Sequence, residues 1–100
     1  MTINKTANGS ELNIALDGRL DTNTSPALEA EIKSSLDPVE TLIFDLAQLT
    51  YVSSAGLRVL LMAQKTMNAK KGNMIIRNCS EDIMDIFDVT GFTDILNIEN

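Results

Sequence analysis

The sequence predicts a single α/β domain: one mixed, largely parallel sheet with helices packed on it. Three observations carry this expectation. The chain has 100 residues, enough for one domain (1–100) with one modest core. Strand-like and helix-like patterns alternate from residue 11 onwards. One segment, "TLIFDL" (41–46), is a nearly continuous apolar run, the mark of a buried central strand.

The elements follow in order. "MTINKTANGS" reads as an edge strand, hairpinned to the next through Asn8-Gly9. "ELNIALDGRLD" (11–21) alternates, with Leu12, Ile14 and Leu16 on one side, as in a half-buried strand. Residues 23–36 form a helix: Thr24 or Ser25 caps it, Pro26 sits in the first turn, and Leu28, Ile32 and Leu36 recur every four residues. Asp37-Pro38 ends it. After the strand at 41–46, a second helix runs from Ser53 to about Ala69. "NMIIRN" (73–78) is a strand. Residues 80–91 form a short helix with Ser80 as cap, two acids in its first turn and Gly91 past its end. "DILNIE" (94–99) is a last short strand. The order is β-β-α-β-α-β-α-β.

Composition narrows the function. Hydrophobic residues make up 44%, but aromatics only 4%, so the core is aliphatic. A net charge of −6 repels phosphate backbones and anionic membranes, so neither is an expected partner. No run of 18 apolar residues exists and the first ten residues lack an apolar signal segment. Cys79 is the single cysteine, so no intrachain disulfide forms. These features fit a reducing, cytosolic setting; a monomer is the expected state. The chain has no histidine, which excludes Ser-His-Asp and Cys-His nucleophile systems and a histidine phosphocarrier. It also leaves almost nothing to bind zinc. Neither a Gly-x-x-x-x-Gly-Lys-[Ser/Thr] loop nor Gly-x-Gly-x-x-Gly is present. No metal, no cofactor and no catalytic residue is expected.

"YVSSAGLRVLL" (51–61) stands out, because two serines precede an Ala-Gly step between apolar segments. On a helix turning about 100° per residue, Ser54, Arg58, Leu61, Lys65 and Ala69 share one sector, with Gln64 and Asn68 on one flank and Met62 on the other. This is the helix's one wet stripe, and Leu61 and Met62 lie on or beside it. Two readings of Ser53 and Ser54 stay open here. One is a helix cap satisfying first-turn N–H groups. The other is an exposed hydroxyl that takes a phosphoryl group at the positive end of a helix.

"GRLD" followed by "DLAQLTYVSSAGLRVLL" resembles the STAS domains of bacterial anti-sigma factor antagonists, the anti-anti-sigma factors of partner-switching systems. Gly18, Leu20 and Asp21 match the family's early Gly-x-[Leu/Ile]-Asp. Residues 51–57 match its aromatic-aliphatic pair followed by [Asp/Ser]-Ser-[Ser/Thr/Ala]-Gly-Leu. "IMDIFDVTGFTDIL" (83–96) matches a helix ending in Phe-Asp-x-[Ser/Thr]-Gly.

The resemblance implies a STAS fold and a non-enzymatic transcription regulator. Its unmodified form binds an anti-sigma factor that is also a serine kinase, which frees the sigma factor. Phosphorylation switches binding off, and a PP2C-type phosphatase restores it. The acceptor falls on Ser54, with Ser53, where many members have Asp, as the alternative. With the stripe, this gives a candidate partner surface of Asp21, Ser53, Ser54, Arg58, Leu61 and Met62, against the plainer readings of Arg58 as a solvated charge and of Leu61 and Met62 as core. Asp21 either holds the Ser54 loop or faces the partner. A serine enzyme with a lysine base competes poorly, because Lys65 lies almost three turns from Ser54. The remaining alternative is a STAS scaffold or ligand-sensing module that works without phosphorylation, as in transport complexes.

Overall fold

In the computed structural model, which describes residues 1–99, β1 (Thr2–Asn8) pairs antiparallel with β2 (Glu11–Leu20), from Thr2↔Asp17 to Asn8↔Glu11. The loop is therefore Gly9-Ser10, one residue later than the sequence suggests. Gly9 takes φ +63°, the left-handed conformation needed at the first position of a type II′ hairpin.

β2, β3 (Thr41–Val52), β4 (Asn73–Arg77) and β5 (Ile98–Glu99) are parallel, and the sheet order is β1-β2-β3-β4-β5. Three helices make the crossovers: α1 (Ser25–Ser35), α2 (Ser54–Ala69) and α3 (Glu81–Thr90). Every crossover steps one strand in the same direction, so right-handed connections place all three helices on one face. Their buried side chains share a single core with Leu12, Ile14, Leu16, Leu42, Phe44, Leu46 and Ile76. The other face shows Glu11, Asn13, Asp17, Asn73 and Arg77. This explains why β2 alternates inside a parallel sheet. Apolar residues reach both faces in the middles of β3 and β4, where Ile43 pairs with Ile75 on the outer face.

Three boundaries depart from the sequence pattern for identifiable reasons. β3 continues past Leu46 to Val52. Its pairing with β2 shifts register between Ala15 and Asp17 and again after Gly18, where φ is +112°. Such bulges break the two-residue alternation. α1 starts at Ser25 with no side-chain cap. The Thr24 hydroxyl turns back to the Arg19 carbonyl (2.7 Å) and the Ser25 hydroxyl to that of Asp21 (2.5 Å). At its other end, Lys70 reaches across from α2 and donates to the Leu36 and Asp37 carbonyls. The strand expected at 94–99 shrinks to Ile98–Glu99. Gly91 ends α3 in a left-handed turn, Phe92–Asp94 form a 3-10 turn, and Leu96 N–H bonds back to Phe92 (2.8 Å) as its side chain enters the core.

Candidate functional site

The site forms where β2 and β3 end side by side, with Leu20 opposite Val52. Ser53 is extended (φ −87°, ψ 174°), and its N–H donates to the Leu20 carbonyl at 2.8 Å. Its hydroxyl accepts from the Gly56 N–H at 3.2 Å, and its carbonyl receives the Leu57 N–H at 2.9 Å. Ser53 is thus the helix cap. Ser54, one residue on, is the first residue of α2 and is exposed. Its hydroxyl makes no hydrogen bond among the described residues. One serine is occupied by structure and the next is presented to solvent at a helix N-terminus, where N–H groups and the dipole favour an anion.

Gly56 permits the close fit beneath this corner. A Cβ there would stand 2.7 Å from Leu20 Cγ and 2.9 Å from the Leu20 carbonyl oxygen. The start of α2 therefore rests directly on the end of β2.

Asp21 is partly exposed and shapes the neighbouring loop. Its Oδ1 accepts from the N–H groups of Asn23 and Thr24, both at 3.0 Å, while the Thr24 hydroxyl accepts from the Asp21 N–H at 2.8 Å. The Thr24 N–H above all, helped by its hydroxyl, by Asn23 and by Arg19, holds the Asp21 carboxyl below the usual carboxylate range, against a smaller opposing effect of burial. None of the Asp21 side-chain bonds reaches Ser53 or Ser54. The tie between the two loops is the Leu20 carbonyl. The lowered value sets a sign for acid stability. The carboxylate stabilises the fold above the ordinary value of 3.8, and that contribution disappears as pH falls through the lower folded value. Asp21→Asn is expected to be less stable than the parent near neutrality. The gap should close as pH drops below 3.8, as followed by urea unfolding at each pH. A gap of constant size would show that the charge contributes nothing.

Along α2, Ser54, Arg58 and Lys65 are exposed, and Leu61 and Met62 are half-buried. Arg58, Leu61, Met62, Lys65 and Thr66 line a shallow groove of about 310 Å³. The wet stripe is narrower than the helical wheel suggests. Gln64 is only 8% exposed; its amide donates to Asn68 Oδ1 at 3.0 Å and its Oε1 finds no partner among the described residues.

The structure adds a pair that spacing alone does not reveal. Arg19 lies opposite Tyr51 across β2 and β3, and its guanidinium stands 4.4 Å from the centre of the Tyr51 ring. Arg19 Nε also approaches Asp21 Oδ2 at 3.9 Å. The pair is legible only once the strand register is known. Burial pushes the Cys79 thiol up to about 11, which keeps it protonated at neutral pH. Among the described residues no three side chains are grouped to hold a metal ion, and no helix is long and apolar enough to cross a membrane.

Comparison with known proteins places these features in a family. BtrV, a candidate anti-sigma factor antagonist of Bordetella bronchiseptica, is 31% identical over 86 residues, covering 85% of this chain and 74% of that protein. The anti-sigma-B factor antagonist of Bacillus subtilis is 26% identical over 91 residues, covering 91% of this chain and 84% of its own. The solved structure of the anti-sigma factor antagonist SpoIIAA in its unphosphorylated form shares the fold, with a TM-score of 0.79 at 20% identity. That match covers 99% of this chain and 88% of the other. The STAS domain profile matches residues 2–100, and this chain belongs to the STAS domain family.

Proposed function

We propose that this protein is an anti-sigma factor antagonist switched at Ser54. Its unphosphorylated form binds an anti-sigma factor that is also a serine kinase, and so frees the sigma factor. Phosphorylation of Ser54 ends that binding, and a PP2C-type phosphatase restores it. The protein acts by binding, as a cytoplasmic monomer. The observation that carries this reading is the division of labour between the serines: Ser53 is spent on the cap, and Ser54 stands exposed beside it. The names of its relatives support the same class.

A phosphoryl group adds about −1.5 to −2 charges at pH 7. On Ser54 it would sit at the head of a stripe carrying Arg58 and Lys65. The helix N-terminus and Arg58 favour the anion, while Asp21 opposes it. Partner release then follows from changed charge and blocked contact, with no unfolding. The partner surface runs from Asp21 and Ser53 through Ser54 and Arg58 to Leu61 and Met62, where the two half-buried apolar side chains act as anchors.

With the cognate kinase and ATP, one phosphate per chain is expected on Ser54. Ser54→Ala should abolish its incorporation. Ser53→Ala should keep it, at a cost of about 1 kcal/mol in stability from the lost cap. Ser54→Asp should weaken anti-sigma binding with the fold intact. Leu61→Ala should weaken it by about 1 kcal/mol or more with little change in melting. Mass spectrometry and calorimetric titration read these effects. A phosphate on Ser53, or parent-like binding by Ser54→Asp, would overturn the assignment.

A further inference from the structure

Charge is distributed unevenly along this chain. All eight basic residues lie at or before Arg77, where eight acids balance them. The whole net charge of −6 therefore belongs to residues 78–100. Most of it is on α3: Glu81, Asp82, Asp85 and Asp88.

Only the first two of these acids are explained by the helix. Glu81 and Asp82 lie in the first turn, where negative charge suits the dipole. Asp88 sits in the last turn, which has no basic residue and where the dipole disfavours an acid. Asp85 falls within three or four residues of Glu81, Asp82 and Asp88, so like charges stack along one face. Among the described residues none of the four forms an ion pair. The same face carries apolar surface. Val89 is 88% exposed, and Asp85, Ile86, Val89 and Thr90 line a shallow depression of about 260 Å³. Ile95, just past the Gly91 turn, is 46% exposed.

The patch belongs to α3 (Glu81–Thr90), whereas Ser54 opens α2, a different helix.

We infer that the outer face of α3 is a second docking surface, for a basic amphipathic helix of a partner protein. Apolar residues of that helix would cover Ile86, Val89 and Ile95, and its lysines or arginines would pair with Asp85 and Asp88. A second copy using its own α3 is disfavoured, since acid would meet acid.

The test uses the full chain labelled with ¹⁵N. The probes are a synthetic Lys/Leu peptide with amphipathic helical spacing and a scrambled peptide of the same composition. The amphipathic peptide is expected to shift the amide signals of Asp85, Ile86, Val89, Thr90 and Ile95 and to bind at least tenfold more tightly than the scramble. Val89→Lys, at a solvent-exposed position, should abolish this preference. Asp85→Asn with Asp88→Asn should weaken binding and flatten its salt dependence. Ser54→Asp should change nothing here, so this result stands or falls separately from the switch. Equal binding of the scramble, shifts centred on Arg58 and Lys65, or undiminished binding by Val89→Lys would each overturn the inference. So would movement of the Val89 signal with protein concentration alone, which would assign the patch to a second copy.

Discussion

Phe44→Ala is expected to remove about 3–5 kcal/mol of folding stability. Phe44 is 0% exposed, lies on the central strand between Ile14 and Ile76, and points at the helices. Truncation leaves a void that neither strand neighbour can fill without breaking its own pairing. Domains of this size are stable by about 5–15 kcal/mol in total, so the variant should be close to melting at physiological temperature. Ile43 supplies the control. It is 2% exposed yet faces the side of the sheet without helices, between Asn13 and Ile75. Ile43→Ala should fall near the lower end of the roughly 2–5 kcal/mol range, because its neighbours can close over the gap. Urea unfolding separates the two. Equal losses would mean that the outer face is packed as firmly as the core.

Gly56→Ala is expected to destabilise the protein by about 1–3 kcal/mol, as overpacked sites do. Helix propensity points the other way, since alanine gains about 1 kcal/mol over glycine inside a helix. The contacts decide the sign. The Leu20 side chain can rotate away from a new Cβ, but the Leu20 carbonyl, at 2.9 Å, cannot. It is held by the Ser53 N–H at 2.8 Å, so moving it disturbs the cap that sets Ser54 at the helix start. The variant should therefore also be phosphorylated more slowly. A raised melting temperature would show that α2 has room to shift outward.

The elements most legible in the sequence are those set by local chemistry. Leu28 and Ile32 mark the buried side of α1, and Ser80 and Gly91 bracket α3 as cap and left-handed stop. What escaped depends on pairing between distant segments. The extension of β3 to Val52 is masked by bulges opposite β2, and the Arg19–Tyr51 contact exists only in that register. Gln64 reads as a surface residue by type, and tertiary packing overrides that. At the site, the motif locates two serines but cannot divide their roles. The extended backbone of Ser53 does that, by turning its hydroxyl onto Gly56.

Strand order in the sheet is also chain order. Leu12 pairs with Leu42, Leu42 with Met74, and Ile76 with Ile98, so each closure spans one βαβ unit. No strand must be inserted between two that are already joined. The entropy of loop closure is met in modest instalments, which favours rapid folding for a parallel sheet. As the chain leaves the ribosome, each unit finds its docking edge already made. The two-residue β5 arrives last and holds least, so opening should begin at that edge and travel inward toward β3.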